Sequence, residues 1–152
     1  MATISARDDA LVTTFGRLLE AQSTLERRLG AELEARCGLP LAWFEVLVRL
    51  ARSEHEQLTM SSVAEQVSLT TSGITRLVDR MAAADLVERV PSPTDRRVSY
   101  VRLTASGRTG LDKALPVHAA GLREIFTSFS EADRYTFDAL LDRLRLGSTG
   151  GT

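Results

Sequence analysis

A single cysteine, Cys37, leaves no partner for an internal disulfide and no ligand set for a cysteine-based zinc site. The two histidines are also poorly provided for. His55 and His118 are far apart, and Glu54 and Glu56 flank His55 but point elsewhere on any regular element, so no metal site is expected. No apolar run approaches the length that spans a membrane, and residues 1–10 hold no apolar core of signal-peptide length. A cytoplasmic protein with no membrane engagement is the expectation. No Ser–His–Asp set, paired carboxylates or glycine-rich phosphate loop stands out, which argues against an enzyme and against a bound cofactor. Lysine is nearly missing, with Lys113 the only one, and the remaining basic residues are arginine. There is no overall basic excess either: the net charge is −1, so any affinity for nucleic acid must come from local charge.

Local charge is present. From Arg76 to Arg108 seven arginines face Asp79, Asp85, Glu88 and Asp95, a net of +3, and the rest of the chain is acidic by about the same margin. The same region, residues 58–108, has the most informative patterning. Met60, Val63, Ala64 and Val67 recur at i, i+3, i+4, i+7, one face of a short helix for which Thr59 is a candidate N-cap. Ser68 and Leu69 read as a turn, and Thr70 as the cap of a second helix whose inward stripe is Ile74, Leu77, Val78 and Met81. Its outer side keeps Thr71, Ser72, Thr75, Arg76 and Arg80, small hydroxyls and guanidiniums suited to a major groove. Two strand-like segments follow, 86–90, stopped by Pro91, and 98–103, with a Pro/Ser/Thr/Asp loop between them. This reads as a hairpin whose tip carries Asp95, Arg96 and Arg97.

Helix, turn, helix and hairpin together make a winged helix-turn-helix. Leu58-Thr59, Val63-Ala64-Glu65, Thr75-Arg76-Leu77-Val78-Asp79-Arg80, Leu86-Val87-Glu88-Arg89, Asp95-Arg96-Arg97 and Leu103-Thr104-x-x-Gly107-Arg108 resemble the MarR family of bacterial transcriptional regulators, in its order and spacing. Asp85 departs from the pattern, standing where the family usually has glycine before Leu86. The resemblance implies a sequence-specific regulator of transcription that binds double-stranded DNA at a pseudo-palindromic operator, most simply as a repressor. Thr70, Thr71, Ser72, Thr75, Arg76 and Arg80 would enter the major groove. Arg96 and Arg97 would enter the flanking minor groove, with Asp95 positioning them through Arg97. The plainer alternative is a solvated helix face and solvated hairpin charges, in a winged-helix protein-interaction module that binds no DNA.

The flanks supply the rest of the expected fold, mainly α with a small β-hairpin wing. Residues 8–37 form a long helix with Leu11, Phe15, Leu18, Gln22, Leu25, Leu29 and Leu33 on its recurring positions, ended by Gly38 and Pro40. Residues 41–52 are apolar nearly all round, as in a central helix, and 53–57 read as a polar connector. After the wing, Thr104 caps a helix that Pro116 should kink. Ser130 and Asp133 resemble a capping box opening a last helix, which Gly147 closes. The reading is one domain over 1–152: a winged lobe at 40–104, helical dimerisation segments at 8–37 and 105–146, and a disordered tail at 147–152. The apolar stripes of the flanking helices exceed what the winged lobe can cover, which points to a homodimer. In the resembled family such helices interleave between subunits.

The resemblance also implies a small aromatic or phenolic effector. Phe15, Leu19, Trp43 and Phe44 are the candidate lining of its cleft, against the plain alternative of ordinary core packing. Some relatives sense oxidants through a cysteine nearer the start of the first helix. Cys37 lies at the far end, which favours an inert, partly buried thiol over a redox sensor.

Overall fold

The computed structural model describes residues 5–67 and 71–149, with backbone alone at 71, 72, 148 and 149. The turn expected at Ser68-Leu69 and the cap expected at Thr70 lie outside the described residues. The chain divides into two units, Met1–His118 and Ala119–Thr152.

The first unit opens with α1, Ala6–Cys37, two residues earlier than the hydrophobic pattern indicates. The reason is Ser5, whose Oγ accepts the Asp8 N–H at 3.1 Å and satisfies one of the orphan donors of the first turn. Gly38 ends the helix in the left-handed region, φ 61°, and its N–H donates to the Glu34 carbonyl. Of the long apolar stripe only Leu29 and Leu33 are buried, whereas Leu11, Phe15, Leu18 and Leu19 are exposed. The next helix, α2 (Leu41–Ala51), buries Phe44, Val46, Leu47 and Leu50 at the centre of the unit.

The connector expected at 53–57 is more ordered than its polar composition indicates. Residues Glu54–Glu56 make a 3-10 turn in which His55 and Glu56 both have positive φ, and Gln57–Thr59 form a strand, β1. Then come α3 (Met60–Gln66), α4 (Thr71–Ala83), β2 (Val87–Pro91), β3 (Ser99–Leu103) and α5 (Ala105–Ile125). The sheet is antiparallel in the order β1-β3-β2, with Leu58 opposite Val101 and Val87 opposite Leu103. Pro91 ends β2 as its last residue, where a missing N–H costs the ladder little. Val63, Ala64, Ile74, Leu77, Val78, Met81, Val87, Val101, Leu103 and Leu111 join the α2 residues in one core, to which the end of α1 contributes Leu33.

Two joints fix the root of the hairpin. Asp85 takes the left-handed conformation, φ 58°, that glycine would accept more readily. Thr104 Oγ1 donates to its carbonyl at 2.5 Å and Ser106 Oγ to its carboxylate at 3.1 Å, so the start of α5 holds the residue in that state. Thr104 also caps α5, accepting the Gly107 N–H at 2.9 Å. The helix runs through Pro116, and the boundary between the units falls two residues beyond it.

In the second unit the last turns of α5 lead to α6, Glu131–Thr149. Its entry is a reciprocal cap: Ser130 Oγ accepts the Asp133 N–H at 3.1 Å while the Asp133 carboxylate accepts the Ser130 N–H at 2.9 Å. These bonds hold the Asp133 carboxyl below its usual range. Phe126, Phe129 and Phe137 pack edge to face or tilted around the bend, with centroids 5.1–6.3 Å apart. One expectation fails at the end of the chain. Gly147 does not close α6, which continues to Thr149, so the expected tail over 147–152 is helical in its first half. Glycine costs a helix only about 1 kcal/mol and stops it only where the chain turns into the left-handed region; Gly147 does not adopt a positive φ.

Candidate nucleic-acid interface

The helix pair is built from its buried side outward. Thr59 Oγ1 accepts the Ser62 N–H at 3.2 Å and so starts α3 directly from β1. In α4, Ile74, Leu77, Val78 and Met81 are all buried, which turns Arg76, Asp79 and Arg80 to the outside. Thr75 is half-buried, and Thr71 and Ser72 belong to the first turn of the helix. Thr70 lies outside the described residues. Gly73, Arg76, Asp79 and Arg80 line one shallow depression along α4.

The wing tip is a closed loop held by short side chains. The Ser92 N–H donates to the Val98 carbonyl, and Ser92 Oγ accepts the Asp95 N–H at 3.2 Å. Asp95 Oδ1 accepts the Arg97 N–H at 2.9 Å and its Nε–H at 3.3 Å, an Asx-type turn with an ion pair added. The Arg97 side chain is nonetheless 91% exposed, and Arg96 is exposed beside it. Asp95 thus spends its carboxylate on the loop while both guanidinium heads stand in solvent. Along the hairpin, Arg102 Nε pairs with Glu88 on the opposite strand at 2.9 Å, and Arg89 Nη2 with Asp79 of α4 at 2.7 Å. Arg108 at the start of α5 pairs with Glu56. The sequence reading missed these three pairs. Among the described residues Arg76, Arg80 and Arg96 have no carboxylate partner.

The candidate effector cleft is redrawn by the structure. Phe44 is a core residue, 3% exposed, and its ring meets the His118 imidazole at 4.6 Å. Phe15 and Leu19 are exposed on α1. Leu41, at the start of α2, faces Gly30 of α1, and at a rise of ~1.5 Å per residue Phe15 is about 22 Å further up that helix. These four residues therefore do not line one cleft within a single chain. Of the four, Trp43 borders a cavity of about 630 Å³, with Arg36, Cys37, Leu39, Leu86, Lys113 and Val117 among its walls. Cys37 is half-buried there, its Sγ 3.9 Å from the Lys113 carbonyl. Burial lowers the His118 pKa, and its Nδ1 has no hydrogen-bond partner. Burial likewise raises the Glu45 pKa, against the pull of Arg49 and with a push from Glu26.

Comparison with known proteins fits this geometry. The MarR family model matches residues 38–98, from the glycine that ends α1 to the end of the wing loop. Over 111 residues the chain is 31% identical to the HTH-type transcriptional regulator MhqR of Bacillus subtilis, spanning 73% of this chain and 75% of MhqR. This chain belongs to the MarR family. MarR-family proteins are transcriptional regulators and not enzymes. The HTH-type transcriptional repressor YetL of B. subtilis is 26% identical over 107 residues, 70% of this chain and 64% of YetL. Among solved structures, AbsC of Streptomyces coelicolor superposes with a TM-score of 0.84 at 26% identity, over 99% of this chain and 100% of AbsC. Sco3205 of the same organism, crystallised with DNA, gives 0.83 at 24% identity, over 97% of this chain and 91% of its own, a likeness of fold. The mainly helical MarR winged-helix fold with its small three-stranded sheet accordingly extends through the terminal helices that the family model leaves out.

Proposed function

We propose that this MarR-family chain is a cytoplasmic, sequence-specific DNA-binding repressor that acts as a homodimer and is released from its operator by a small aromatic or phenolic ligand. The observation that carries the DNA-binding part is the division of α4: every residue of its inner stripe is buried, and Arg76 and Arg80 stand outside with no carboxylate partner among the described residues. In this reading Thr70, Thr71, Ser72, Thr75, Arg76 and Arg80 meet the major groove, and Arg96 and Arg97 the minor groove beside it, where narrowing concentrates negative potential. Asp95 acts on the wing through Arg97. The DNA complex of Sco3205 supports this assignment by analogy of fold.

The homodimer draws support from large apolar side chains that one chain leaves in solvent. On α1 these are Leu11, Val12, Phe15 and Leu19, and on α6 Tyr135, Leu140, Leu144 and Leu146. A ligand draws support from the cavity beside Trp43, whose walls combine apolar side chains with the charged Arg36 and Lys113. Two reading helices on one dimer must match half-sites about one helical turn apart, roughly 34–36 Å, so a ligand that changes their separation strains both. About 1.4 kcal/mol of coupling gives tenfold weaker operator binding, and operator must weaken the ligand by the same factor.

Footprinting on the DNA upstream of its own gene tests the reading, with shift assays at two salt concentrations. The expected result is a protected pseudo-palindrome and an affinity that falls steeply with salt. Equal, weak binding to any sequence would refute it. Trp43, the only tryptophan, reports ligand by fluorescence with and without operator. Ligand affinity that operator leaves unchanged would remove the regulatory part.

A further inference from the structure

The outer face of α4 carries one acid among its guanidiniums, and that acid is paired away from its own helix. Asp79 follows Arg76 by three residues and borders the same depression as Arg76 and Arg80. Residues three apart on a helix are neighbours that can pair, so Arg76 is the local partner that helix geometry offers to Asp79. The carboxylate instead takes Arg89 of β2, at 2.7 Å. Arg89 is well held there. It lies opposite Val101 in the ladder, and the next pair along, Glu88 and Arg102, is itself bridged at 2.9 Å.

We propose that Arg89 serves DNA binding as a positioning residue: it occupies the Asp79 carboxylate and so keeps Arg76 available to the base edges. The inference rests on the DNA-binding reading above. Without Arg89, Asp79 captures Arg76, its neighbour three residues back on the helix. That loss comes from the acid, so it is cured by removing the acid. A strap that merely fixes the wing to α4 would behave differently, since it would fail whichever partner were lost. A direct phosphate contact by Arg89 would differ again, since phosphate contacts weaken binding uniformly across sequences.

The test compares Arg89→Ala, Asp79→Asn, Arg76→Ala and the double variant Arg89→Ala/Asp79→Asn on a panel of single-base operator changes. Arg89→Ala should weaken operator binding about threefold or more and flatten preference at the base positions that Arg76→Ala flattens, since base contacts carry the sequence information. The double variant should regain that preference. Asp79→Asn alone should bind more tightly than the parent, because it removes a negative charge from the interface and frees Arg89. Uniform weakening in Arg89→Ala with base preference intact would overturn the proposal in favour of a phosphate contact, and weaker binding by Asp79→Asn alone would overturn it in favour of a strap. A readout without DNA separates this inference from the reading beneath it. By NMR, exchange of the Arg76 Nε–H with water should slow in Arg89→Ala and recover in the double variant. A parent that binds no operator would refute the DNA-binding reading, whereas unchanged Arg76 exchange in Arg89→Ala would refute the proposal.

Discussion

Gly107 offers a test of how α5 is joined to the hairpin. The residue is buried in the first turn of α5, and a Cβ there would collide with the Leu86 carbonyl oxygen while lying 2.9 Å from Leu103 Cδ1 and 3.0 Å from the Leu86 carbonyl carbon. The Leu103 methyl can move by rotation. The Leu86 carbonyl cannot, because it accepts the Thr104 N–H at 3.2 Å and follows directly on Asp85, itself bound by Thr104 and Ser106. In Gly107→Ala either α5 withdraws from Leu86 and the Thr104 bond breaks, or the root of β2 shifts. Overpacking costs about 1–3 kcal/mol and a lost hydrogen bond that leaves a buried group unpaired about 1–3 more, against up to ~1 kcal/mol gained by replacing a helical glycine. A net loss of about 2–4 kcal/mol is expected. Gly16, in the middle of α1 with nothing within 4 Å of its would-be Cβ, is the control. Gly16→Ala should stabilise by up to about 1 kcal/mol. Urea unfolding of both variants and the parent, at one protein concentration because the stability of the proposed dimer would depend on it, measures the difference. If Gly107→Ala is as stable as Gly16→Ala, the close approach of α5 to Leu86 is wrong.

Other outcomes follow from the same geometry. Arg97→Ala should weaken operator binding at all sequences and lower the slope of log affinity against log salt by about 0.9, the value of one phosphate-type contact; an unchanged affinity would remove the wing from the interface. Cys37→Ser should bind DNA like the parent, and peroxide should not release the parent; release that disappears in Cys37→Ser would instead make the cavity-wall thiol a sensor. Burial lowers the His118 pKa below its ordinary 6.5, so the folded chain takes up this proton less readily than the unfolded one. Stability should therefore be intact above about pH 6.5 and decline as the pH falls below it, with a shallower decline in His118→Gln by urea midpoints at pH 7 and pH 5. Equal declines would mean that His118 is not the group responsible.

What could be read from the sequence was whatever short-range periodicity encodes. The α4 stripe of Ile74, Leu77, Val78 and Met81 is fully buried because a helix lying on a core has one inner face, and 3.6-residue spacing identifies it without knowledge of what lies beneath. Thr59, Thr104 and Ser130 cap their helices because a cap is decided within three residues. β1 escaped the same reading. Gln57, Leu58 and Thr59 make too short a strand to alternate, and their partners Arg102, Val101 and Tyr100 lie more than forty residues on. Gly147 failed in the opposite sense, because composition alone cannot distinguish a glycine that turns the chain from one a helix tolerates. The grouping of Phe15 and Leu19 with Trp43 and Phe44 came from the effector cleft that the family resemblance implies, and the length of α1 forbids it within one chain.

The arginines show where such reading stops and where physical pairing begins. A count gives seven guanidiniums between residues 76 and 108 and cannot say which of them are available. The structure commits Arg89 to Asp79, Arg102 to Glu88, Arg108 to Glu56 and Arg97 in part to Asp95. The first three pairs each join two different elements, so no pattern within one element announces them. With the Asp95 pair they spend four acids that would otherwise repel a polyanion from this surface. The local excess over the four acids of residues 76–108 is therefore less telling than its distribution. Arg76 and Arg80 on α4 and Arg96 at the wing tip are the heads without a carboxylate among the described residues, on the two elements that a winged helix presents to a groove. Under the proposed reading, a surface of the same net charge with its acids paired to Arg76 and Arg96 instead would bind operator more weakly.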